Sequence, residues 1–268
     1  MQGFPNGSMA IPSLAMERMG ASVNGEAPPP PPPPPPPADY QEKTQAIETA
    51  NQIGYFPFAD LTGVSATDLS PLTESGFYLF PTLGEAGQQS KKCIKCEPAD
   101  GDYVYALGST RPAQFNPDLG VASCWVKVSN AAAWSDGTRR WIFNARNGIG
   151  RFVGFYKDSI ANRIGMIYDR TGGQPTIFAS VSPTTDWFHV SGTWQKIGSD
   201  CIFRLFLNGV QIAIGTFSTA TAWGGNPTSI DFGGHAAFGS ETWAGWMQWG
   251  IVWKTMLTDP QLLSAGTI

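Results

Sequence analysis

The chain has 268 residues and a net charge of −4, and only 14% of its residues are charged, against roughly 25% in an average soluble domain. With 31 Gly, 22 Pro, 10 Trp and 16 Phe it is turn-rich and aromatic, which argues for many short strands and against a helical bundle or coiled coil. No block of Lys or Arg is present to displace counterions from phosphates, so nucleic acid is not an expected partner, and no apolar run reaches the roughly 18 residues of a membrane span.

Residues 1–27 read as an extended anchoring arm. Phe4, Met9, Ile11, Leu14, Met16 and Met19 are too few to enclose a core. Below about 40 residues a free-standing fold needs staples, and this segment has no Cys. Met-rich beads adapt to irregular apolar grooves, so the arm is expected to order on a partner; the alternative is an unstructured tail. It lacks a basic start followed by an apolar core, so it does not read as a secretory signal. Residues 28–37 are ten consecutive prolines. Proline fixes φ and has no N–H, so the run forms a polyproline II spacer of about 31 Å.

Residues 38–76 read as a short helix and an irregular connector. Asp39 followed by Glu42 resembles a capping box, which predicts a helix over 40–52 ending at Gly54. From Tyr55 to Asp100 the only predicted strand is Phe77–Phe80. Cys93 and Cys96 form a lone C-x-x-C, while Cys124 and Cys201 lie in apolar stretches. A zinc site wants a second pair or two His, and His189 and His235 are far from the first, so buried thiols and a surface turn are expected instead of a metal.

From Asp102 strand and turn alternate. Predicted strands are 102–107, 121–129, 140–145, 151–156, 162–169, 175–180, 187–194, 201–207, 210–215, 229–233 and 245–254. Asn208-Gly209 is a strong hairpin signal, because a type I′ turn needs φ > 0 twice. Phe203, Leu205 and Leu207 share one face of their strand, and Ile202 and Phe206 the other with Arg204, as in a strand covered on both sides. A last short helix starts near Asp259 and Pro260 and stops at Gly266. The pattern fits an all-β fold of two packed antiparallel sheets, assigned to 77–268. No heptad argues for a homo-oligomer, although one is compatible with the sequence.

Several segments resemble, in order and spacing, the strands of concanavalin A-like, laminin G-like jelly rolls. They are Ala122-Ser-Cys-Trp-Val-Lys-Val128, Trp187-Phe-His-Val-Ser-Gly-Thr193, Arg204-Leu-Phe-Leu-Asn-Gly-Val-Gln-Ile212, Ile230-Asp-Phe-Gly233 and Gly245-Trp-Met-Gln-Trp-Gly-Ile-Val-Trp253, followed by Met256-Leu-Thr-Asp-Pro-Gln-Leu262. The resemblance implies a two-sheet jelly-roll sandwich. Trp249 and Gly250 stand where an acidic residue and a Val are common, and Gln261 where Glu is usual. These departures weaken transfer of the family's calcium site, for which Asp136, Asp169, Asp186 and Asp231 are scattered candidates. No cofactor or metal is therefore expected, calcium being the one ion the resemblance allows.

Glycoside hydrolases of this jelly-roll class carry paired carboxylates on one strand face. No predicted strand has them at i, i+2 or i, i+4, and Glu241 stands alone in a loop. No G-x-S-x-G elbow appears, and His189 occupies a structural position of the resembled motif. The chain is thus read as non-enzymatic. Sugar sites use exposed rings flanked by Asn, Asp or Gly groups. Trp223 with Asn226, Trp134 with Asp136, and Trp243 are the candidates; the alternative is that these rings plug the ends of the sandwich. Arm, spacer and binding-type domain together resemble a bacteriophage virion protein: a capsid decoration, head fibre or tail adhesin. That layout places it on the virion surface, held to capsid or tail proteins by the arm and facing a host-surface glycan or protein. The alternatives are a soluble or secreted bacterial carbohydrate-binding module and, further off, a glycoside hydrolase.

Overall fold

The computed structural model describes residues 39–106, 110–147, 151–170, 174–219, 221–234 and 239–268. The arm (Phe4, Met9, Ile11, Leu14, Met16, Met19) and the proline spacer lie outside these residues. Sixteen strands are found among the described residues. They are β1 (Gln52–Phe56), β2 (Ser65–Ala66), β3 (Gly76–Leu79), β4 (Thr82–Ala86), β5 (Lys92–Cys96), β6 (Tyr103–Tyr105), β7 (Leu119–Val128), β8 (Arg140–Arg146), β9 (Phe152–Lys157), β10 (Arg163–Asp169), β11 (Thr176–Ser180), β12 (Phe188–Ile197), β13 (Asp200–Leu207), β14 (Val210–Ser218), β15 (Ser229–Phe232) and β16 (Gly245–Trp253). Three helices accompany them: α1 (Tyr40–Gln45), α2 (Arg111–Gln114) and α3 (Asp259–Ala265).

The strands form two antiparallel sheets. The first runs β14-β13-β12-β7-β16-β5-β4, with β1 also paired to β16; the second runs β11-β10-β9-β8-β15-β6-β3-β2. Period-2 alternation sorts their side chains. Ala122, Cys124 and Val126 of β7 face the second sheet, as do Val190 of β12 and Val252 of β16. They meet Phe143, Val153, Phe155, Met166 and Phe232, with ring centres 5.5 Å apart for Phe143–Phe155 and 5.2 Å for Phe143–Phe232. Each such buried apolar side chain contributes about 1.5–3 kcal/mol.

The outer face of the first sheet is apolar too. Val121, Trp125, Phe206, Trp249, Ile251 and Trp253 form a second cluster with Tyr40 of α1 and Leu262 of α3. Tyr40 lies 4.4 Å from the Trp249 ring and donates its hydroxyl proton to Ala265 O at 2.7 Å. Thr258 and Gln261 close a capping box that starts α3.

Each of the eleven strands predicted after Asp102 is present, as is the hairpin: Asn208 has φ 49° and Gly209 φ 76°. Upstream the reading needs correction. The stretch 55–100 is not irregular but supplies the end of β1, all of β2 to β5, and strand partners to both sheets. Within β16 the register shifts between Gln248 and Ile251, with Trp249 at φ 52°. Its first residues pair with β5 and its last with β1. The first helix starts where Asp39 caps Gln41 N at 2.8 Å and stops at Gln45, the chain leaving helical geometry at Glu48 with φ 48°. The C-x-x-C is not a surface turn. Cys93 and Cys96 are buried on β5, three residues apart and so on opposite faces, and Cys96 Sγ lies 4.0 Å from Met247 Sδ.

Candidate functional site

At one end of the sandwich a cleft of about 500 Å³ opens between the β11–β12 loop and the β13–β14 hairpin. The Ala131–Trp134 turn forms its back wall. This turn starts where Asn130 Oδ1 accepts from Ala133 N at 3.2 Å, an N-cap that aims Trp134 inward. Trp134 donates its indole N–H to Thr184 O at 2.8 Å and packs 5.6 Å from Phe188. That bond fixes the loop carrying Ser182, Thr184, Asp186 and Trp187. Asp186 N bonds Thr184 Oγ1 at 3.0 Å, which turns the chain so that the Asp186 carboxylate faces solvent. Asn208 enters from the hairpin, its Oδ1 held by His189 N at 2.8 Å.

Trp187 is half-buried, packed on one side against the outer cluster of the first sheet. The cleft thus joins a partly exposed indole to one carboxylate and to amide and hydroxyl groups. That combination suits stacking on the apolar face of a sugar with hydrogen bonds to its hydroxyls. Asp186 is the one carboxylate lining the cleft, whereas glycoside hydrolysis needs two. Two clefts of about 530 Å³ beside Phe77 and Phe80, and about 630 Å³ beside Val210 and Leu263, are walled mainly by apolar groups.

The three candidate tryptophans are end plugs. Trp134, Trp223 and Trp243 are 1%, 2% and 0% exposed and belong to the inter-sheet core. Trp223 packs against Phe115, and Trp243 donates to Lys127 O at 3.3 Å. Their rings offer no face to a sugar, and only Trp134 reaches the cleft, as wall. The Gly-Gly that follows Trp223 serves the backbone: Gly224 and Gly225 have φ 81° and 93°. Asn226 is exposed on that loop, away from the cleft lining. Asp136 is engaged by Lys157 Nζ at 2.6 Å and Arg140 Nε at 2.7 Å. Partial burial would raise its pKa, but these cations hold it below the usual carboxylate value.

The four aspartates considered for calcium lie on separate elements. Asp169 accepts from Gln174 N at 2.9 Å, Asp231 is buried beside the Ser229 hydroxyl, and Asp186 lines the cleft. No group of three or more metal-binding side chains occurs among the described residues. His189 is buried 5.4 Å from Trp125 on the outer face of the first sheet, where burial pushes its pKa down to about 3. Trp187 is the first residue of the predicted strand 187–194, a position that gives no sign of a partly open ring. The Ser-Pro-Thr-Thr-Asp run before it was the available signal for a polar loop.

Residues 103–262 match a laminin G-type model of the concanavalin A-like lectin/glucanases superfamily. The chain belongs to that superfamily. Its fold also matches the binding domain of botulinum neurotoxin serotype D, with a TM-score of 0.62 and 14% identity, over 82% of this chain and 52% of that one. A botulinum neurotoxin DC binding domain in complex with rat synaptotagmin II matches at TM-score 0.60 and 11% identity, covering 81% and 51%. Trypanosoma rangeli sialidase in complex with 2,3-difluorosialic acid matches at 0.62 and 13%, covering 82% and 33%. The chain spans about half the length of the toxin domains and a third of the sialidase. At these identities the likeness is one of concanavalin A-like fold. No curated protein sequence matches the chain.

Proposed function

We propose that this chain is a non-catalytic carbohydrate-binding protein whose sugar site is the rim cleft under Trp187. The observation that carries the reading is the half-buried indole of Trp187 beside the solvent-facing carboxylate of Asp186 and the polar groups of Thr184 and Asn208. A cleft near 500 Å³ is in the range of small-ligand sites and would hold one or two sugar rings. Membership of a lectin and glucanase superfamily supports it. A lone lining carboxylate favours binding over hydrolysis. The finer reading, display on a bacteriophage particle with the arm held by capsid or tail proteins, is supported by the arm and proline spacer of the sequence.

A glycan array probed with the full chain tests the site. Binding to at least one glycan class is expected, lost at least tenfold in Trp187→Ala and weakened several-fold in Asp186→Asn, while Asn226→Ala leaves it unchanged. Robust binding untouched by Trp187→Ala would move the site elsewhere. Turnover of any bound polysaccharide would overturn the non-catalytic reading.

A further inference from the structure

We infer that Arg139 is the centre of a second glycan subsite, on the outer face of the second sheet, which takes an oxyanion carried by a sugar: a carboxylate or a sulfate. Its residues are not those of the rim cleft, and it shares with that reading only the class of ligand.

Arg139 precedes β8, after a turn at Gly137 with φ 73°. Its guanidinium carbon lies 5.0 Å from the ring centre of Tyr156 and 5.8 Å from that of Trp141. Its Nε is buried without a hydrogen-bond partner, and the group forms no ion pair among the described residues. The carboxylates on the surrounding elements are engaged otherwise. Asp136 is held by Arg140 and Lys157, and Asp158 by Arg163. Glu241 accepts the indole N–H of Trp141 at 2.7 Å, and Asp169 the backbone N–H of Gln174 at 2.9 Å. A cation without a counter-charge, in a chain of net charge −4, is therefore stacked on aromatic faces and keeps its fork of donors.

Arg139, Trp141, Phe152, Ile167 and Gln174 wall a hollow of about 60 Å³. A hollow of that size admits a few waters or one oxyanion head, with the attached sugar ring left outside. Apolar walls lower the local dielectric and strengthen a bidentate, charge-assisted bond to such a head. Phe178, 40% exposed and 6.5 Å from Tyr156 edge to face, borders the hollow with the Arg163 guanidinium carbon 3.8 Å from its ring centre.

The test is calorimetric titration of the full chain with a carboxylated probe (tetragalacturonate), a sulfated probe (a κ-carrageenan tetrasaccharide) and a neutral one (maltotetraose). At least one charged probe is expected to bind tenfold or more tighter than the neutral one, and which of the two does so identifies the oxyanion. Arg139→Ala should remove that advantage, Arg139→Lys should keep only part of it, and Asn226→Ala, outside both sites, should leave it in place. The inference is overturned if neither charged probe outbinds the neutral one, or if the advantage survives in Arg139→Ala. Should Arg139→Ala not fold, Arg139→Lys decides, and an affinity equal to that of the unaltered chain overturns it.

Discussion

Trp134, Trp223 and Trp243 sit in loops flanked by Gly, Ser and Asp, yet all three rings are enclosed, while Trp187 at a strand end stays partly open. A loop position says little about which way a large ring turns; the void at the end of the sandwich decides, because leaving it empty costs dispersion and transfer energy together. Trp223→Ala and Trp243→Ala should each lower stability by about 3–5 kcal/mol in chemical denaturation, against about 1 kcal/mol for Trp187→Ala. The reverse ranking would contradict the assignment of plugs and site. His189 offers a pH test. Its folded pKa, about 3, lies below the ordinary value of 6.5, so unfolding takes up a proton between those limits. Its contribution is complete above pH 6.5 and is lost as pH falls towards 3. Across pH 6.5 to 4.5 stability should fall by up to about 1.4 kcal/mol per unit, and His189→Leu should flatten that slope.

At the scale of elements, β16 organises the first sheet. Its shift between Gln248 and Ile251 lets one strand take β5 at its start and β1 at its end along the same edge. Nothing in the local sequence of β1, Gln-Ile-Gly-Tyr-Phe, alternates, because all five residues are buried. In β5, the lysines at 92 and 95 mimic a surface turn while Cys93, Ile94 and Cys96 are buried. The segment after β1 is locked by a buried ion pair. Arg111 donates to Asp68 Oδ2 at 2.7 Å and to Ile53 O at 2.6 Å. Removing one partner leaves an uncompensated buried charge, so Asp68→Ala should destabilise by about 3–5 kcal/mol. Replacing both by apolar residues should restore little of the loss, because Tyr55 N, Ser70 N and the carbonyls of Ile53, Ala106 and Glu74 then lose their partners; a double-mutant cycle measures the pairwise part.

Over the whole molecule, the two large core clusters among the described residues begin at Tyr40. If residues 1–38 take no part in this core, a chain of 39–268 should melt within about 2–4 °C of the full protein, a larger shift meaning a loss approaching 1 kcal/mol. If the arm anchors the protein, deletion of 1–27 should leave sugar binding intact and abolish incorporation into particles. Incorporation of the truncated chain would refute the anchoring. The sequence by itself determined the eleven later strands, the Asn208-Gly209 hairpin, the last helix and the superfamily, because alternation, positive-φ turns and caps act over a few neighbouring residues. Only the tertiary structure decided which tryptophans are core and which stay partly open, that β1 and β5 share β16, and that Arg139 has no carboxylate partner among the described residues. Burial and strand pairing join residues as far as about 200 positions apart, and no local pattern records which partners meet.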